Sequence, residues 1–126
     1  MIRLDLKREP HWLDVGHGVR LHVKPCTSAI MLAARSGAAR EGMPVPDSEG
    51  PPLAPEEIIG ARASAFMKAL ARLVIIGWEG VGDADGKSAA VSPEGIEALL
   101  DLWPIADAFE RQYLGPALLL AQEKNA

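Results

Sequence analysis

The strongest constraint in this sequence is a single apolar stripe. Ile59, Ala63, Phe66, Leu70 and Leu73 recur at alternating steps of four and three, which is the period of one helix face. Pro55 suits a first turn, where its missing N–H is no loss, and Glu56 and Glu57 set negative charge against the positive end of the helix dipole. Lys68 and Arg72 suit the opposite end and are expected on the outer side, with Gly77 as a stop. The pattern predicts a helix over 55–77, a rod of roughly 30 Å that the rest of the chain must cover.

Alternation governs the start of the chain instead. Trp12-Leu-Asp-Val15 and Val19-Arg-Leu-His-Val23 flank Gly16-His17-Gly18, the pattern of a β-hairpin. Val19, Leu21 and Val23 share one face, with Arg20, His22 and Lys24 on the other. Ile2, Leu4 and Leu6 alternate similarly and suit a third strand, so residues 1–24 read as a β-ribbon. Two strands alone are marginal in water, so the ribbon must pack on something.

Pro25 ends the ribbon, and Thr27 or Ser28 caps a short helix over 27–37 that Gly37 closes. Residues 38–54 read as a loop, because Gly42–Pro52 holds four of the ten prolines and proline removes a donor and locks φ. A Gly/Asp turn is expected over 78–91 and C-terminal helices over 92–124. Ser92-Pro93-Glu94 is a well-formed helix start. Ile96, Leu99, Leu100 and Trp103 fall at i, i+3, i+4 and i+7, which places Trp103 in the core. Pro104 breaks that helix and starts the next, carrying Ile105, Phe109 and Tyr113. Gly115-Pro116 then precedes Ala117–Lys124. The expected fold is one domain over 1–126, mainly α, with four to five helices packed around one long central helix and an N-terminal β-hairpin.

Composition narrows the class. With 126 residues, 48% hydrophobic and 24% charged, the chain can bury a core and lies outside the disordered range. No apolar run approaches the ~18 residues of a membrane span. The N-terminal decapeptide alternates charge with aliphatics and lacks the apolar core of an export signal, so a soluble, intracellular protein is expected. The lone Cys26 cannot form an internal disulfide or a cysteine metal cluster. Residues 1–40 carry seven basic against three acidic side chains, and the remainder six against fourteen. Such polarity lets the basic end of one copy meet the acidic end of another. Nucleic acid is not an expected partner, since no Lys/Arg cluster interleaves with aromatics and the isoelectric point is about 5.3.

Several apparent chemical motifs fail on spacing. Gly86-Lys87-Ser88 ends like a phosphate-binding loop, but the required first glycine falls on Val81, and Asp83 and Asp85 would repel phosphate. As a calcium loop the same stretch puts Val81 at the first position and Ser92 at the twelfth, where carboxylates are needed. A dinucleotide fingerprint fails because the third glycine comes one residue late. The segment reads instead as a turn built from residues that tolerate left-handed geometry. His11, His17 and His22 have no carboxylate or cysteine at ligand spacing. Cys26 lacks a nearby base and reads as a small buried side chain. Glu56-Glu57 and the Glu94/Glu97/Asp101 row read as helix-start and solvated-face carboxylates. No catalytic, cofactor-binding or metal site is expected, and the chain reads as a non-enzyme.

Three tryptophans against two phenylalanines and one tyrosine form a skewed aromatic set. Trp12 and Trp78 suit either a core seal or a partly exposed anchor at an interface.

Taken in order, Trp12-Leu-Asp-Val-Gly-His-Gly-Val-Arg20, a proline–threonine start to a small-residue helix, Gly77-Trp-Glu-Gly-Val81, Val91-Ser-Pro-Glu94 and Leu99-Leu-Asp-Leu-Trp-Pro104 leading to Leu118-Leu-Leu120 resemble a known group. These are the small tail assembly chaperones of long-tailed, siphovirus-type bacteriophages and prophages, encoded between the tail-tube and tape-measure genes. The resemblance covers most of the chain through diffuse patterns. It implies a non-enzymatic factor of the bacterial host cytoplasm that coats the helical tape-measure protein and keeps it soluble. Displacement follows as tail-tube subunits polymerise, and such proteins tend to self-associate. Many also exist in a longer, frameshifted form. No cofactor, nucleic acid or membrane partner is implied. A client helix would be held by side-chain burial in an apolar groove, and Trp12, Met31, Leu32, Trp78 and Leu118 are the interface candidates. The competing expectation is a structural phage component, such as a head–tail connector or tail-completion protein.

Overall fold

The computed structural model describes residues 9–41 and 54–116. The expected strand at Ile2, Leu4 and Leu6, the 42–52 loop, Leu118 and the helix at Ala117–Lys124 lie outside the described residues.

The hairpin forms where alternation placed it. Strands β1 (His11–Gly16) and β2 (Val19–Val23) pair antiparallel. His17 and Gly18 both take positive φ, 56° and 75°, the geometry of a two-residue type I′ turn whose twist matches the strands. Leu13, Val15, Val19, Leu21 and Val23 turn inward and are buried, while the residues between them face out.

Helix α1 spans Ser28–Glu41. Thr27 caps it as expected, its Oγ1 accepting from the Ile30 N–H at 3.2 Å. Gly37 does not stop the helix. It lies inside the helix, facing α2, where a Cβ would sit in ordinary contact 3.6 Å from that of Ala69. Helix α2 spans Pro55–Val74, with Pro55 in its first turn.

The main correction to the sequence reading lies at the end of α2. The predicted helix over 55–77 stops at Val74, and Ile75–Glu79 becomes a third strand, β3, antiparallel to β2. Val23 pairs with Ile75, His22 with Gly77, Leu21 with Trp78 and Arg20 with Glu79. The ribbon is therefore a three-stranded sheet in the order β1-β2-β3. The β-branched run Val74-Ile75-Ile76 suits a pleated surface, and the far edge of β2 supplies ladder partners that no isolated helix end could. Nor is α2 a central helix. Its buried residues are Ala69, Leu70, Ala71 and Val74, all near one end, and Ile59 is 68% exposed. The fold is α+β, not a mainly α bundle around one long helix.

Helices α3 (Pro93–Leu100) and α4 (Trp103–Phe109) follow, and α4 continues into a π-helical turn at Glu110–Leu114. The Ser92 hydroxyl accepts from the Gly95 N–H at 3.0 Å, the cap read from sequence. α4 packs against β1, and α3 against α2. The core joins the inner sheet face to Leu70, Val74, Ile96, Leu100, Ile105 and fully buried Phe109. Lys68 and Arg72 are not outward solvated charges: they pair with Asp101 and Glu97 and tie α2 to α3.

Candidate functional site

The outer sheet face carries polar and aromatic side chains. Trp12 lies across from His22, and their rings stack at 4.6 Å with planes 7° apart. The Arg20 guanidinium sits 4.9 Å from the centre of the Trp12 ring and also pairs with Glu79 at 3.2 Å. Trp12 is thus an exposed residue whose π-faces have partners within its own sheet.

Trp78 is committed differently. Its Nε1–H donates to the Ala89 carbonyl at 2.8 Å, and its ring lies on the first turn of α3. A Cβ at Gly95 would come within 2.9 Å of that ring. Half-buried, Trp78 fastens β3 to the start of α3. The Gly/Asp turn expected over 78–91 starts later than that, because Trp78 and Glu79 belong to β3. Asp83 Oδ1 accepts from the N–H groups of Asp85 and Lys87 at 2.9 and 3.0 Å, the side-chain-mimics-backbone geometry that aspartate favours in turns. Gly80, at φ 80°, presses against the hairpin, and a Cβ there would collide with the Gly18 carbonyl.

Of the α1 candidates, Met31 packs partly against the core and Leu32 is 63% exposed. Trp12, Leu32 and Trp78 therefore belong to three different surroundings: an outer sheet face, a helix surface and a half-buried joint.

The residue that sequence spacing misplaced is Trp103. It is 67% exposed rather than in the core, and Leu102 beside it is 56% exposed. The i, i+3, i+4, i+7 stripe holds only while one helix continues. Pro104 has no N–H for the Leu100 carbonyl and its ring would collide with it, so the helix must end earlier. It ends at Leu100, Leu102 turns extended at φ −80°, ψ 111°, and α4 restarts in a new phase with Trp103 outward. Beside this corner His17, Val19, Leu99, Leu102, Pro104 and Ile105 line an open cleft of about 310 Å³. One wall is the hairpin tip and the other the α3–α4 junction.

Titratable groups add little chemistry. Burial pushes the Cys26 thiol up, against a lowering contact from Tyr113. Burial also pushes the Tyr113 phenol up, reinforced by Cys26. The Tyr113 hydroxyl donates to the Lys24 carbonyl at 2.8 Å and pins the last turn to the end of β2. Among the described residues no group of three or more His, Cys, Asp or Glu side chains is arranged to hold a metal ion. None of the described helices is long and apolar enough to cross a membrane.

These features define a small α+β protein, a three-stranded antiparallel sheet covered on its apolar face by helices, with large apolar side chains on the surface. The chain belongs to the YdaY prophage protein family, whose model matches residues 31–126, from within α1 to the C-terminal end. It is a phage-associated protein. No curated protein and no solved structure matches it.

Proposed function

We propose that this prophage chain is a tail assembly chaperone, a non-enzymatic protein of the host cytoplasm that binds and solubilises the tape-measure protein during tail morphogenesis. Self-association and release by incoming tail-tube subunits belong to the same reading. The observation that carries it, beside the family, is the placement of large apolar side chains outside the core: Leu32, Ile59, Leu102 and Trp103 are each more than half exposed. Such side chains gain roughly 25 cal/mol for each Å² they bury, and they occur on the outer surfaces of α1 and α2 and at the α3–α4 corner. Contacts of that kind are strong enough to shield an apolar helix and weak enough to be exchanged for tube subunits. No cofactor enters this mechanism.

Co-expression with the tape-measure protein of the same prophage is the direct test. The expected result is a soluble tape-measure protein that co-purifies with this chain, and mature tails that lack the chain by mass spectrometry. A tape-measure protein that stays insoluble, or a fixed stoichiometry of this chain in finished particles, would overturn the reading; the latter outcome favours a connector or tail-completion role.

A further inference from the structure

We infer that the α3–α4 corner is a self-complementary contact, at which Trp103 of one copy enters the cleft of a second copy and its own cleft receives the second copy's tryptophan in return. This rests on the self-association in the reading above and names the surface that carries it, which leaves Leu32 and Ile59 to the client.

Knob and hole adjoin each other. Trp103 stands in the chain between Leu102 and Pro104, both of which line the cleft, and its Cα lies about 3.8 Å from each of theirs. Trp103 is not itself a lining residue, so the ring leaves its own cleft open. It is more than half exposed and, among the described residues, has no ring stack, cation contact or hydrogen bond.

The lining selects an indole. It holds no carboxylate, lysine or arginine, so a charged side chain entering it would lose its hydration without compensation. A cavity of about 150 Å³ accepts a benzene ring, and the cleft, at about 310 Å³, has room for a bicyclic one. His17 is the one polar side chain among the lining residues. A neutral imidazole there supplies the acceptor that an indole N–H needs once it is buried.

Geometry selects a second copy. In a two-fold contact residue i meets residue j and j meets i, so each copy brings both the knob for one hole and the hole for the other knob. Trp103, Leu102 and the cleft walls amount to a few hundred Å² on each copy, below the ~800 Å² per partner of a stable complex. The dimer is therefore a reversible one.

Sedimentation of the full chain is expected to show a monomer–dimer equilibrium that dissociates on dilution. With no ion pair across the contact, its affinity should stay within about twofold between about 0.05 and 0.5 M salt. Trp103→Ser is expected to weaken the dimer about tenfold, whereas Trp12→Phe dimerises as the parent does. Free indole occupies the cleft and is expected to dissociate the parent dimer, a readout that needs no variant to fold. A monomer even at about 1 mM chain, a Trp103→Ser variant that dimerises normally, or a dimer that salt dissociates or indole leaves intact would each overturn the assignment. If no Trp103-dependent dimer forms and the chain still retains the co-expressed tape-measure protein, the corner contact falls and the chaperone reading stands. If the dimer forms through Trp103 but the tape-measure protein is never retained, the corner contact stands and the chaperone reading falls.

Discussion

Trp12 and Trp103 both stand on the surface, but in opposite circumstances. Trp12 lies against His22 on one strand position and Arg20 on another, with Arg20 tied onward to Glu79. Trp103 begins a helix just past a chain break in direction, and its ring has no partner among the described residues. Exposed area alone does not separate a tryptophan engaged within its own sheet from one with no partner among the described residues. What separates them is whether the π-faces and neighbouring charges are already satisfied within the fold.

That contrast can be broken at the core. Phe109 is fully buried and stacks on Tyr113 at 5.2 Å. Phe109→Ala should cost about 3–5 kcal/mol in chemical denaturation and loosen the sheet face and the corner together. A milder disruption strikes the hairpin tip that walls the cleft. Gly80→Ala combines a left-handed backbone with the collision at the Gly18 carbonyl. It should lower stability by about 2–3 kcal/mol, and an unshifted unfolding curve would mean that Gly80 does not hold the tip.

The remaining two predictions sharpen the comparison itself. Trp12→Ala removes a ring stack and a cation contact, and should cost about 1 kcal/mol in thermal or urea unfolding. Trp103→Ser removes neither, and its stability should stay within about 0.5 kcal/mol of the parent. Equal losses at the two positions would erase the distinction.

Local signals in the sequence proved readable. Thr27 and Ser92 cap their helices through bonds to the N–H three residues on, and the His17-Gly18 turn follows from the φ values its residues must adopt. These depend on neighbours a few positions away. The third strand does not. The β-branched run Val74-Ile75-Ile76 favours a strand locally, but the ladder partner that makes it one is β2, far back in the chain. Trp103 was lost for a related reason, since a period is informative only within one helix and Pro104 forces a new phase. Among the candidates, the cleft itself was invisible, because its walls come from the hairpin tip and the α3–α4 junction, brought together by the fold.

Because Ile75 completes the ladder begun at Val23, the sheet cannot close until some fifty further amino acids have left the ribosome. At roughly 5–20 residues per second, that is an interval of several seconds in which the nascent hairpin has an unclaimed edge. Synthesis of this protein thus includes its own period of vulnerability to mispairing, and it ends only when the chain folds back from the close of its longest helix.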